Sequence, residues 1–206
     1  MLHQYRRDGQ AAQEQAEAAI TLSTEQGFVF WLAGGTLFRG WALAEQGWGE
    51  EGIAQIRQGM VTWRATGADR FRPYFLALLA EAYGKTDRAG EALTLLAEAG
   101  AVAQKDEDHL YEPELYRLRG ELTLQSHVQR PESEAEACFL NAIEIAQKQQ
   151  AKSWELRAST SLARLWQQQG KSTEAHKLLS DVYSWFTEGF DTKDLQEAKA
   201  LLEELT

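Results

Sequence analysis

Hydrophobic residues recur at three- and four-residue intervals along most of the chain. Leu76, Leu79 and Tyr83, for example, fall on one face of a helix. Because this spacing is typical of amphipathic α-helices, the sequence predicts ten of them. Their expected ranges are residues 10–26, 29–46, 49–66, 70–84, 87–105, 109–126, 132–150, 152–169, 172–186 and 191–205.

Small residues repeat along the chain with a period of about 40 residues. Small side chains on both members of a helix pair allow the two backbones to approach closely. We therefore expect repeated hairpins, each with an A-helix and a B-helix, in an all-α, right-handed α-α superhelix or solenoid. The A-helix series is Gly40, Ala80, Gly120 and Ala163, and the B-helix series is Gly52, Ala92, Ala135 and Ala175.

The repeat also predicts how the chain is divided. Residues 1–27 would form an unpaired B-helix, four hairpins would follow, and residues 188–206 would form a capping helix. A polar segment over residues 125–133 accounts for the longer spacing of 43 residues between Gly120 and Ala163. The expected hairpins are 28–67, 68–107, 108–150 and 151–187.

Glycines and capping residues predict where several helices end and begin. Gly47, Gly84 and Gly170 are expected to end helices in the left-handed conformation. Asp87, and either Ser172 or Thr173, would then cap the helices that follow. In the capping helix, Asp191 is the expected N-cap, and the expected apolar stripe is Leu195, Ala198, Leu202 and Leu205.

Composition and charge narrow the possible partners. The 206 residues are 44% hydrophobic and 25% charged, which is typical of a globular protein, and the net charge is −10. Such an acidic chain is poorly suited to nucleic acid or to an anionic membrane surface. The longest nearly apolar run, residues 28–38, is too short to span a bilayer. With Cys138 as the single cysteine, the cytoplasm is the expected compartment.

Motifs for catalysis and metal binding are incomplete. Gly170-Lys171-Ser172 resembles the end of a phosphate-binding loop, but the loop's first glycine would be position 165, which is Leu. The histidines lack metal-ligand spacing, and Cys138 is expected to be a small buried residue. Trp31 and Trp154 occupy a repeated aromatic position and are expected in the core. The sequence therefore predicts no catalytic residues, no metal and no cofactor.

The spacing of small, aromatic and leucine residues across each hairpin resembles the tetratricopeptide repeat (TPR). The period of about 40 residues departs from that family's usual 34. Several segments also resemble the C-terminal repeat region of large bacterial signalling proteins. In those proteins an adenylate/guanylate cyclase or DNA-binding domain and a signalling ATPase precede the repeats. The segments are residues 52–59, 63–67, 72–83, 114–122, 134–139, 161–166 and 189–192.

In stacked helical hairpins the A-helices line a concave surface, which is usually the binding surface. Counting from the small residues gives a candidate groove with aromatic, acidic and basic members. Its arginines could bind a carboxylate or a phosphate. Pairing of Glu114, Arg117 and Glu121 along one helix is favoured over ligand binding, because these residues are three and four positions apart. The candidate residues are Trp41, Tyr74, Glu81, Glu114, Arg117, Glu121, Arg157 and Arg164.

These observations favour a non-catalytic module for protein or peptide binding. The resemblance implies a regulatory tail that senses a partner, an upstream domain of the same polypeptide or a small effector. Two alternatives remain at this point. The uncovered apolar face of helix 10–26 could drive homodimerisation. Less favoured is a part of an α/α toroid glycosidase, which would require two carboxylates across a cleft.

Overall fold

The computed structural model describes residues 1–126 and 131–206. Within these ranges it contains eleven α-helices and no β-strand, which confirms the all-α class. All ten predicted helices are present, with ends that differ by a few residues, and a short first helix is additional. The helices are α1 (Leu2–Tyr5), α2 (Gly9–Gln26), α3 (Val29–Glu45), α4 (Gly49–Ala65), α5 (Arg72–Gly84), α6 (Ala89–Asp106), α7 (Glu112–Gln125), α8 (Pro131–Lys148), α9 (Lys152–Gln168), α10 (Ser172–Tyr183) and α11 (Lys193–Glu204).

The helices are grouped in two compact units. Unit 1, Met1–Asp106, contains α1 to α6, and unit 2, Glu107–Thr206, contains α7 to α11. In unit 1, α2 packs on α3, and α3–α4 and α5–α6 are antiparallel hairpins. In unit 2 the hairpins are α7–α8 and α9–α10, and α11 packs against both helices of the second. The predicted insertion lies partly outside the described residues.

Small residues hold the helices of a hairpin close together, as the sequence predicts. A Cβ atom on Gly52 of α4 would lie 2.5 Å from the carbonyl oxygen of Gly40 in α3. In unit 2, a Cβ on Gly120 would lie 2.5 Å from the ring of Phe139. Any larger residue at these positions would have to displace a backbone or a buried ring.

Several predicted helix ends are wrong in detail. Gly47 and Gly170 have φ angles of 92° and 76°, which confirms two of the three glycine ends. Gly84 remains helical, and Asp87 takes the left-handed conformation instead, with a φ of 57°, so it does not cap α6. Ser172 is the first residue of α10 rather than its cap. The N-cap of α11 is Thr192 and not Asp191.

Three core assignments are also corrected. Trp31 is 65% exposed, because its neighbour Phe30 turns inward and packs 4.1 Å from the ring of Trp63. Trp154 is half-buried and packs edge-on against Tyr111. In α11, Leu201 is fully packed against the core, whereas the predicted Leu202 is only partly buried.

Two further features bear on function. Cys138 is buried, as expected for a packing residue, and burial raises the pKa of its thiol. Over residues 1–126 and 131–206, no helix combines the length and the apolar character needed to cross a membrane.

Candidate functional site

The predicted groove residues lie on four A-helices. Unit 1 contributes three of them from α3 and α5, and unit 2 contributes five from α7 and α9.

In unit 1 the structure joins Trp41 to Glu81. The indole N–H of buried Trp41 donates to Oε2 of Glu81 at 2.8 Å, between α3 and α5. These two residues are one repeat period apart, and each directly follows a small residue of the A-helix series. Glu45 and Lys85, also one period apart, form an ion pair between the same helices. Equivalent positions of successive repeats therefore face each other.

Tyr74 of α5 is buried beneath the first residues of the chain. Its hydroxyl donates to Oε1 of Gln4 at 2.7 Å, and Gln4 is itself only 2% exposed. The ring of Tyr5 lies 5.7 Å from the Tyr74 ring, and Phe38 of α3 lies 6.3 Å from it on another side. Helix α1 thus covers part of the A-helix face of unit 1. This helix could not be predicted from the sequence, because a single turn is too short to show the helical spacing of hydrophobic residues.

In unit 2 a buried carboxylate joins two of the predicted arginines. The guanidinium of Arg117 donates to both oxygens of Glu114, at 2.8 Å and 2.7 Å, in the bidentate geometry that arginine favours. Arg157 of α9 donates to Oε1 of the same carboxylate at 3.2 Å. Glu114 and Arg157 occupy equivalent positions of two repeats, 43 residues apart because of the insertion.

The network extends on both sides of this centre. Arg117 forms a second ion pair with Glu121 at 2.6 Å, and Ser161 of α9 donates its hydroxyl to Glu121 at 2.7 Å. Arg157 donates to Oδ2 of Asp194 in α11 at 2.7 Å. Asp194 was not among the predicted residues, although an acidic residue in the first turn of a helix is a common signal.

The buried charges stabilise one another. Burial alone would raise the pKa of Glu114, but the attraction of Arg117 and Arg157, with their hydrogen bonds, lowers it to about 2. Glu121 shows the same balance, in which burial is outweighed by Arg117 and the Ser161 hydrogen bond, so its pKa is also lowered. The pKa of Arg157 is raised, because Glu114 and Asp194 outweigh its burial.

The three predicted arginines form ion pairs with carboxylates of the chain itself. The pairing of Arg117 with Glu114 and Glu121 along one helix is confirmed. Arg157 is likewise neutralised by carboxylates and only 7% exposed. Arg164 is the most exposed member of the set and lies 3.2 Å from Glu197. Within the described ranges, no cluster of His, Cys, Asp or Glu side chains is arranged to hold a metal ion.

Comparisons with known proteins identify the fold. No family model and no curated protein matches the chain. Among solved structures, BtubC (BKLC) from P. vanneervenii superposes with a TM-score of 0.62 at 16% identity, covering 98% of this chain and 89% of that one. A kinesin light chain of Podosopora anserina with nearly identical TPR-like repeats gives a TM-score of 0.57 at 19% identity, covering 88% of this chain and 90% of that one.

The likeness establishes the class of architecture. The chain has a TPR-like helical-repeat fold, as the small-residue pattern predicts.

Proposed function

We propose that this chain is a non-catalytic module that binds a peptide or protein segment on the A-helix face of unit 1. The observation that carries the proposal is the buried hydrogen bond from Tyr74 to Gln4. Through it, the face formed by α3 and α5 already holds a short segment of polypeptide. A surface that buries residues of its own chain has the shape and the polar partners to bind a segment of another.

The face offers both apolar and polar contacts. Phe38 and Tyr74 supply aromatic surface, and the same two helices carry the carboxylates of Glu45 and Glu81, which contact Lys85 and Trp41. Its occupant in the structure is the segment of residues 1–7, in which Arg6 and Arg7 directly follow Tyr5. A ligand with an aromatic or amide side chain followed by basic residues therefore fits this chemistry.

The partner we favour is an upstream domain of the same polypeptide in a larger signalling protein of the cytoplasm. The resemblance of residues 72–83 and 114–122 to the repeat region of bacterial cyclase and regulator ATPases supports this context. In such a protein, a segment that competes with residues 1–7 would link partner binding to the position of the N-terminal helices.

The test is a titration that uses the full chain. The double variant Gln4→Asp/Tyr5→Ala should release the N-terminal segment, because a carboxylate cannot be buried beside Tyr74 without cost. A synthetic peptide with the sequence of residues 1–8 is then added and its binding measured by calorimetry. We expect saturable binding to the double variant and weaker binding to the native chain, whose face is occupied.

A matched control distinguishes binding at Tyr74 from non-specific binding of the peptide. The triple variant that adds Tyr74→Phe removes one hydroxyl and keeps the ring, and should bind the peptide about five- to tenfold more weakly. Equal binding by all three proteins, or no binding to any, would contradict the proposal.

A second candidate function is self-association through unit 1. Four large apolar side chains near the junction of α2 and α3 are more than half exposed, which favours contact with a second copy of the chain. Light scattering on Leu22→Glu/Trp31→Glu tests it: a native dimer that becomes a monomer supports the proposal, and a native monomer removes it. The residues are Leu22, Phe28, Val29 and Trp31.

A further inference from the structure

A second groove is lined by two B-helices and one A-helix, and it includes none of the predicted groove residues of the A-helix face. It lies in unit 1 between α4, α5 and α6 and has a volume of about 380 Å³. This volume falls within the range of small-molecule sites in proteins. We refer to it as the B-side groove.

The floor of the B-side groove is apolar and closely packed. Trp63 of α4 and Phe75 of α5 pack edge-to-face at 5.1 Å, and Leu79 and Leu95 complete the floor. Neighbouring rings and leucines packed in this way offer a fixed surface rather than one that must reorganise on binding. An apolar ligand would therefore bury its surface here at little conformational cost.

Arginine side chains surround this apolar floor. Arg57, Arg64 and Arg72 all line the groove, from two different helices. Arg72 is paired with Glu98 at 2.6 Å, whereas Arg57 donates to the hydroxyl of Tyr83. In the part of the chain that the structure describes, neither Arg57 nor Arg64 has a carboxylate within ion-pairing distance. Three arginines and the two carboxylates of Asp69 and Glu98 line the groove, which is an excess of one positive charge in a chain with a net charge of −10.

The rim between these arginines is itself apolar. Val61 is 71% exposed and lies one turn from both Arg57 and Arg64 on the same face of α4. An exposed valine between two cations gives α4 a stripe that is at once apolar and positively charged. Such a stripe complements a molecule that has an apolar body and an anionic end.

We infer that the B-side groove binds a small amphiphilic carboxylate, with its hydrocarbon body on the Trp63–Phe75 floor and its carboxylate at Arg64. Arg57 contributes a second positive charge at the other end of the stripe. The groove volume, the apolar floor and the excess of arginines over carboxylates in the lining support this inference, which is independent of the peptide site on the A-helix face.

The probe is octanoate, and 1-octanol is the uncharged molecule of matched chain length. Both are titrated into the full-length native chain, and binding is followed by chemical shifts of the backbone amides. We expect octanoate to shift amides of α4, α5 and α6 around Val61, Phe75 and Leu95, and to bind more tightly than 1-octanol. No localised shift with octanoate at millimolar concentration would overturn the inference.

Variants on the exposed rim test the roles of charge and apolar surface separately. Arg64→Gln should weaken octanoate binding about tenfold, the effect of losing one charged hydrogen bond, and leave 1-octanol unchanged. Val61→Asp should weaken both. Lys105→Gln, which removes a positive charge outside the groove, should change neither. Equal loss of octanoate binding with Arg64→Gln and Lys105→Gln would contradict a specific site.

Discussion

Arg157 and Asp194 join the last hairpin to the C-terminal helix. The guanidinium of Arg157 in α9 donates to Oδ2 of Asp194 from both Nη2, at 2.7 Å, and Nε, at 3.1 Å. The same side chain contacts Glu114 of α7, so one buried arginine links three helices of unit 2. Helix α11 is also attached by the apolar contacts of Leu195, Ala198 and Leu201 and by an ion pair between Glu197 and Arg164.

Asp194→Asn should therefore loosen the capping helix. The substitution removes a charge from a largely buried pair, but Glu114 still compensates Arg157, so we expect a loss of about 1–3 kcal/mol. Hydrogen exchange should accelerate in residues 193–204 and stay unchanged in unit 1. The control is Asp181→Asn, at an exposed position on α10. Identical exchange in both variants would show that the Arg157–Asp194 pair does not hold α11 in place.

Glu114 gives the fold a defined dependence on pH. Its pKa is lowered from 4.5 to about 2 in the folded chain. A carboxyl with a lowered pKa stabilises the folded state above its unfolded pKa, and this stability is lost as the pH falls from about 4.5 towards 2. The contribution of Glu114 is about 3 kcal/mol at neutral pH.

The comparison is between the native chain and Glu114→Gln, by urea denaturation at several pH values. The difference in free energy of unfolding should be largest at neutral pH and should shrink by about 3 kcal/mol as the pH approaches 2. Glu188→Gln, at an exposed position, should differ from the native chain by less than about 0.5 kcal/mol throughout. A difference for Glu114→Gln that does not vary with pH would argue against the buried network.

Two glycines in helices should respond in opposite directions to alanine. At Gly52 a Cβ would lie 2.5 Å from the Gly40 carbonyl oxygen, so Gly52→Ala should cost about 1–3 kcal/mol. At Gly100 in α6 a Cβ meets nothing within 4 Å, and Gly100→Ala should add about 0.5–1 kcal/mol through helix propensity. Chemical denaturation measures both. A stabilising Gly52→Ala would contradict the close approach of α3 and α4.

Much of this architecture could be predicted because the repeat fixes which residues are equivalent. Trp41 with Glu81, and Glu114 with Arg157, are equivalent positions of successive repeats, and each pair is in contact. Aligning the small residues predicted which residues are equivalent and share the A-helix face, and the contacts between them were found in the structure. The pairing of Arg117 along α7 followed from helical spacing alone.

The features that could not be predicted lie outside the 40-residue repeat, or at positions where two adjacent residues could both be buried. Asp194 belongs to α11, which is outside the repeat, so no alignment placed it beside Arg157. Phe30 and Trp31 are adjacent aromatics, and their sequence does not decide which one turns inward. Helix α1 is a single turn, held by tertiary contacts such as Gln4 with Tyr74 rather than by its own periodicity.

The most direct test of the central claim is to locate the bound peptide on the chain. The peptide of residues 1–8 is added to Gln4→Asp/Tyr5→Ala, and backbone amide shifts are mapped. The account predicts that the shifts concentrate in α3 and α5 around Phe38 and Tyr74, with α4 and α6 little affected. Shifts confined to α4 and α6, or no shifts at saturating peptide, would contradict binding at the A-helix face.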